Sequence, residues 1–558
     1  MDDHFARVLA GPKRAADDAD AAADASGSAR SKRRRDTSDD NRARVAQVLA
    51  QGDAAAQEIL DEELTKWKAV AAQPALYAEL VELEVVASLL GLFGHENLDI
   101  RLDVVNLLAE LTDVDEDPSA LAPTTRLATH LVAHDFVPLL VKTLDDLDRD
   151  TQDRAEAEDD ASGTGVFHAL QIVENIVDVL PDSAVTLGAS TSIFSVLLRL
   201  VSPKRTFGST KLYASEVLSI LVQADGRNRE QFLSNTQDDD RLDRLLQALA
   251  PYRKRDPQGD EEEELVENLL NTLCSLLCET QGQDRFRRLE GLELMLRFMK
   301  DRKQYVFSGA LRVLDHALMN HARNCERFIQ VGGLKALFPM FMGKKVAKKK
   351  DVRAKEIENV TSLLASLCLL VPQDADQDVH ARLHAKFVEN EMEKVDRIVD
   401  LFAKYYDRVQ AAVARENPDE DEDQEDEDAA ADERYLRRLD AGLFVLQRVA
   451  LVAAHLSKFS RKLRAYVMIK FHERNVDIEA VVAVLHEQLN TLEAEADAET
   501  ETTNSKADAI KQNQIQQVRQ LLQAFDDETE IEDAAAAEEE TGESGSPSEA
   551  IKETAPTE

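Results

Sequence analysis

The chain has 558 residues, a formal net charge of −40, 44% hydrophobic and 5% aromatic residues, and four cysteines. That length holds more than one core, the charge disfavours direct contact with nucleic-acid phosphate, and so few thiols make no disulfide framework. No apolar run approaches the roughly 20 residues that cross a bilayer, and the start MDDHFARVLAGPKRAADD lacks the apolar core of a signal peptide, so a soluble intracellular protein with no membrane contact is expected.

Residues 1–44 are rich in Ala, Asp, Ser and Arg without apolar periodicity and read as a disordered tail. Two basic clusters lie in it, PKR at 12–14 and SKRRRD at 31–36. Lys13, Arg14, Lys32, Arg33, Arg34 and Arg35 are therefore candidates for a nuclear-localisation signal, against the alternative of a solvated charged tail. Residues 45–100 read as a helical region leading into residues 101–405, where helical periodicity is broken by turns such as FGHEN (93–97), LPDS (180–183) and VPQD (371–374). Residues 406–433 read as an acidic disordered loop, since Glu416 to Glu433 holds twelve acids and no base. Residues 434–492 read as further helices, 493–507 as a linker and 508–525 as a capping helix with Ile515, Val518, Leu521, Leu522 and Phe525 at helical spacing. Residues 526–558, thirteen acids against Lys552, read as an acidic disordered tail.

One apolar triple recurs through the helical region. Leu107, Leu108, Leu111 aligns with Ile172, Val173, Ile176; with Val217, Leu218, Leu221; with Thr272, Leu273, Leu276; with Val313, Leu314, Ala317; with Leu363, Leu364, Leu367; and with Val445, Leu446, Val449. The steps between first members are 65, 45, 55, 41, 50 and 82. Several lie near the spacing of about 40–47 residues in HEAT and armadillo units. Two of the preceding helices open on glycine, at GLELMLRFMK (291–300) and GGLKALFPMFM (332–342). The expected fold class is all-α: an armadillo/HEAT-like right-handed superhelical solenoid with disordered acidic and basic tails. In such a fold no helix pair buries its apolar face alone, and the last helices of successive units line a groove.

No nucleotide-binding or zinc-protease motif occurs, so neither an enzyme nor a cofactor is expected. Cys274 and Cys278, four apart on a Leu-rich helix, read as core thiols rather than metal ligands. His380 and His384, also four apart, read as an exposed helix face. Trp67, the only tryptophan, reads as core or interface packing. The groove is the better candidate for function. The positions one before and three after the first member of each triple should face it, which gives Asn106/Glu110, Gln171/Asn175 and Glu216/Ile220 in the N-terminal half. Asp113, Glu174 and Asp178 lie close by on the same helices. Charge-assisted hydrogen bonds from these acids, with amides to hold a backbone, suit a Lys/Arg-rich segment.

The stretches LYAELVELEVVASLLGLFGHENLDI (76–100), VVNLLAELTDVD (104–115), KLYASEVLSILVQ (211–223), NCERFIQVGGLKALFPMFM (324–342) and RYLRRLDAGLFVLQRV (434–449) resemble the beta-catenin-like protein 1 family, in family order. The resemblance implies an armadillo fold, a nuclear location and association with the spliceosome through the NineTeen complex. It implies partners with basic, localisation-signal-like segments, among them the cell-division-cycle-5-like splicing factor, and a possible homodimer. The groove lacks the repeated Trp of karyopherin-alpha, so a stacked-Trp grip on lysine stems is not expected. An import carrier for basic cargo is the alternative reading. The basic stretch KKVAKKKDVRAK (344–355) fits either an RNA contact or an intramolecular one.

Overall fold

The computed structural model describes residues 64, 67–82, 85–114, 119–153, 161–190, 192–234, 240–344, 346–371, 377–414, 427–499 and 505–526. Among them every regular element is a helix, and no single helix is long and apolar enough to cross a membrane. The chain divides into two compact units, Met1–Ala317 and Leu318–Glu558. The basic clusters at 12–14 and 31–36, and the tail 527–558, lie outside the described residues.

In the first unit the helices that carry the argument are α1 (Leu98–Thr112), α2 (Phe136–Asp153), α3 (Ala161–Val179), α4 (Ile193–Leu200), α5 (Ser209–Ala224), α6 (Asp260–Leu276) and α7 (Val306–Leu318). α1 packs on α3, α3 on α5 and α5 on α6, so the helices that bear the apolar triples form one ladder. Every member of the triples is buried. That burial is the reason for the repeat: three apolar positions per helix, each worth roughly 1.5–3 kcal/mol when a large side chain is removed from water, fuse neighbouring units into one core. Two short helices precede several of the long ones, as Thr280–Arg288 and Gly291–Phe298 precede α7. Polar side chains start several of them: Asn97 accepts from the Asp99 amide, Asp225 from Arg227 and Asp240 from Asp243. The glycine that opens the second short helix has a packing cause. A Cβ on Gly291 would sit 2.3 Å from the Phe286 ring, and one on Gly333 2.4 Å from the Phe328 ring.

The second unit contains α8 (Leu334–Phe341), α9 (Lys350–Leu370), α10 (Gln377–Val388), α11 (Glu393–Val413), α12 (Glu427–Ala441), α13 (Leu443–Phe459), α14 (Arg461–Glu473), α15 (Ile478–Glu499) and α16 (Ser505–Asp526). α13 is its hub, packed by α9, α11, α14, α15 and α16. α16 lays Ile515, Val518, Leu521 and Leu522 into the core, and its Gln514 amide donates to Asn320 Oδ1 at 2.9 Å. The sequence placed a disordered acidic loop at 406–433, but α11 runs on to Val413 and α12 starts at Glu427. The helices extend because Tyr405 and Val409 are buried at i, i+4 spacing on α11 and so continue its core face. The expected 493–507 linker likewise narrows, since α15 reaches Glu499 and α16 begins at Ser505.

Candidate functional site

The ladder α1–α3–α5–α6 turns one polar column of each helix to the same side, and contacts between adjacent helices fix the order. His168 Nδ1 on α3 lies 2.6 Å from Asn106 Oδ1 on α1, and the Gln171 amide donates to Asp113 Oδ2 at 3.3 Å. The Asn175 amide nitrogen donates to Ala109 O and to Thr112 Oγ1, both at 3.2 Å. Tyr213 on α5 donates its hydroxyl to the Glu174 carboxylate on α3, while its ring lies tilted against Phe167 with centroids 4.7 Å apart. On α6 the Asn268 amide donates to Ser215 Oγ at 3.3 Å.

Two ends of this face are neutralised from within. Lys68 Nζ reaches Glu110 at 2.8 Å, and Arg312 on α7 pairs with Glu267 on α6 at 3.0 Å. Between them Glu174 and Asp178 on α3, Glu216 on α5 and Glu264 on α6 have no ion pair among the described residues. Their crowding is visible in the titration of their neighbours. Partial burial, then the carboxylates of Glu174 and Glu264, hold Glu216 above the ordinary glutamate value. Burial and the Glu174 carboxylate push the Tyr213 phenol well above its usual range. At the neutralised end burial first, then Lys68, lowers His168, while burial with the nearby Asp113 carboxylate pushes Tyr77 up to about 12.

All eight groove residues read from the sequence lie on this ladder, in two groups. Asn106, Glu110, Asp113, Gln171 and Asn175 spend polar atoms on neighbouring helices or on Lys68. Glu174, Asp178 and Glu216 remain as acids without a counter-ion among the described residues, joined by Glu264. Sequence reading missed Glu264 and the Phe167–Tyr213 pair. The signal was present: His168, Tyr213 and Asn268 each stand four before their triple, and all three make the contacts between neighbouring helices. Lys68 was missed because its partner lies 42 residues away.

Two other expectations are corrected. His384 is buried rather than exposed, stacked on Phe459 with ring centroids 3.5 Å apart, its Nε2 lying 3.0 Å from His455 Nε2. The i, i+4 spacing of His380 and His384 points them at α13, whose His455 and Phe459 share the same spacing. Cys274 is a core thiol, but Cys278 is exposed, because it lies at the end of α6 where the apolar stripe stops. Among the described residues no group of three or more His, Cys, Asp or Glu side chains is arranged to hold a metal ion.

With this arrangement in view, comparison with known proteins places the chain. The beta-catenin-like protein 1 of Bos taurus is 38% identical over 405 residues, covering 71% of this chain and 69% of that protein. The Schizosaccharomyces pombe beta-catenin-like protein 1 homolog is 31% identical over 445 residues, covering 78% and 74%. Among solved structures, an engineered protein aligns over 85% of this chain and 98% of its own at 13% identity and a TM-score of 0.42, too loose a likeness to carry an argument. Residues 56–486 match the family described as catenin-beta-like, Arm-motif containing, nuclear. The repeated buried triples, the ladder they build and these matches make the chain a member of that catenin-beta-like armadillo family.

Proposed function

We propose that this protein is a non-enzymatic nuclear adaptor of pre-mRNA splicing, which holds basic segments of splicing factors on the acidic face of α3, α5 and α6. The observation that carries the reading is the stretch of Glu174, Asp178, Glu216 and Glu264 left without a counter-ion among the described residues, between two ends that are internally paired. Such a stretch gains on receiving a cation. Each Lys or Arg that enters makes charge-assisted hydrogen bonds, at roughly 1.5–3 kcal/mol per bond, and offsets the burial and the repulsion that together raise Glu216. The Phe167–Tyr213 pair adds a ring surface against which an aliphatic stem can lie. The nuclear location is in keeping with the family description, and the splicing partners are those the family resemblance implies: the cell-division-cycle-5-like factor and the NineTeen complex.

Fluorescence anisotropy with the full chain and a labelled basic localisation-signal peptide from that factor tests this. The expected result is saturable binding that Glu174→Lys/Glu216→Lys weakens by about a hundredfold, or about ten per site. Unchanged binding by the folded double variant overturns the placement of the site.

A further inference from the structure

The second unit carries the opposite charge pattern. On α11, Arg397, Lys404 and Arg408 stand at i, i+7 and i+11, one face of one helix. Between them the Tyr405 ring is buried and held in place. Gly442, at φ 103°, lets α13 begin directly against it; a Cβ there would lie 2.5 Å from Tyr405 Cδ1. Lys404 Nζ and the Arg408 guanidinium each sit 5.1 Å from the centre of that ring. Arg397 is fixed from the other end, its Nε donating to Phe341 O of α8 at 3.2 Å. Arg353 on α9 lies near enough to act electrostatically on Arg397, Lys404 and Tyr405.

These four cations repel one another. Burial first, then Arg408, Arg397 and Arg353, lowers the Lys404 ammonium below its ordinary value. Arg397 is lowered by burial and by Arg353, against the opposing pull of Asp400. Asp400 is already bound by Arg474, the residue that follows α14. The Glu358 carboxylate of α9 acts on Tyr405 only through its charge, and none of Arg353, Arg397, Lys404 and Arg408 has an ion pair among the described residues.

We propose that this cluster of Arg353, Arg397, Lys404 and Arg408 around Tyr405 is a docking site for a phosphorylated serine or threonine on a partner protein. The partner's chemistry follows from charge and from exposure. A phosphate monoester brings about two negative charges and three acceptor oxygens in one compact group, which neutralises several guanidinium and ammonium groups at once. Arg353, Lys404 and Arg408 are exposed on an open helix face rather than in a closed pocket. A free phosphate ion would exchange with water there, whereas a phosphate carried on a chain gains further contacts. The whole molecule, at −40, repels an extended polyanion such as RNA from a distance. The cluster itself acts only within about one Debye length, roughly 8 Å. A single phosphate meets the short-range attraction with little of the long-range penalty.

The test retains two degenerate peptide pools on the immobilised full chain, identical except that the fixed central residue is phosphoserine in one and serine in the other. Millimolar inorganic phosphate and a labelled single-stranded RNA are run beside them. The expected result is at least about tenfold preference for the phosphorylated pool, resistant to equimolar inorganic phosphate and lost in Lys404→Gln/Arg408→Gln. Both substitutions are at exposed positions, and an unchanged melting temperature shows that the fold survives them. Glu174→Lys/Glu216→Lys leaves this preference intact, so the result is independent of the acidic face. Equal retention of the two pools overturns the proposal. So does RNA binding that the Lys404/Arg408 variant abolishes while the phosphorylated pool is not preferred, and so does full displacement by equimolar inorganic phosphate.

Discussion

At the scale of single residues, the strongest constraint in the first unit is a buried carboxylate. Asp148 on α2 is fully buried and receives Arg199 Nε of α4 at 2.5 Å, together with the guanidinium of Arg205. Two cations on one buried acid leave no cheap way to remove the acid, because the half-buried Arg205 then loses its counter-charge and Arg199 keeps only Asp145. Asp148→Ala is expected to cost about 3–5 kcal/mol in chemical denaturation, whereas breaking the exposed Arg227–Asp225 pair should leave the denaturation midpoint close to the parent's. Gly333 makes a second residue-scale prediction. A methyl group there meets the buried Phe328 ring, so Gly333→Ala should destabilise by about 1–3 kcal/mol, and Gly333→Ala/Phe328→Leu should recover part of the loss. The glycine and the phenylalanine were both legible in the chain, but their contact was not, because five residues of sequence do not say which way a ring turns.

At the scale of elements, α10 and α13 are joined by a histidine pair whose tautomers the hydrogen bonds fix. His384 Nδ1 lies 2.9 Å from the His380 carbonyl, which only accepts, so Nδ1 carries the proton and Nε2 the lone pair. His455 Nε2–H then donates to it. Neither ring can gain a proton without setting two donors against each other or charging a buried ring. Burial accordingly lowers His384 to about 4 and His455 to about 3. In the unfolded chain both titrate near 6.5, so the unfolded state binds more protons and stability falls as pH drops from about 6.5 through about 4. His384 alone should cost about 2 kcal/mol by pH 5. Melting temperatures at about pH 7.5 and pH 5 should differ less in His384→Leu/His455→Leu than in the parent, and acid-induced hydrogen exchange should begin in α10 and α13. An unchanged acid sensitivity would place the titrating groups elsewhere. The spacing of His380 and His384 was visible in the sequence, and so was that of His455 and Phe459. That the two stripes face each other is a product of packing across 71 residues.

At the scale of the whole molecule, the charge of −40 sets how a basic partner arrives. Long-range attraction speeds encounter with Lys/Arg-rich segments and fades with salt, so raising ionic strength from about 0.05 to 0.3 M should weaken the peptide roughly tenfold, mostly through the association rate. An affinity indifferent to salt would point to apolar contacts instead. The sequence by itself determined the all-helical class, the positions of the buried triples and the family, because helical burial is periodic and the period is written in the order of residues. It also named Glu110, Glu174, Asp178 and Glu216 on the ladder helices, but not Glu264. Tertiary structure alone decided which acids lack an ion pair among the described residues: Lys68 takes Glu110, Arg312 takes Glu267, and Glu174, Asp178, Glu216 and Glu264 are left. It likewise decided that Lys404 and Arg408 of α11 gather over the Tyr405 ring, within the electrostatic reach of Arg353. Ion pairs and like-charge clusters depend on distances of a few ångströms between residues tens of positions apart, and no local pattern encodes those distances.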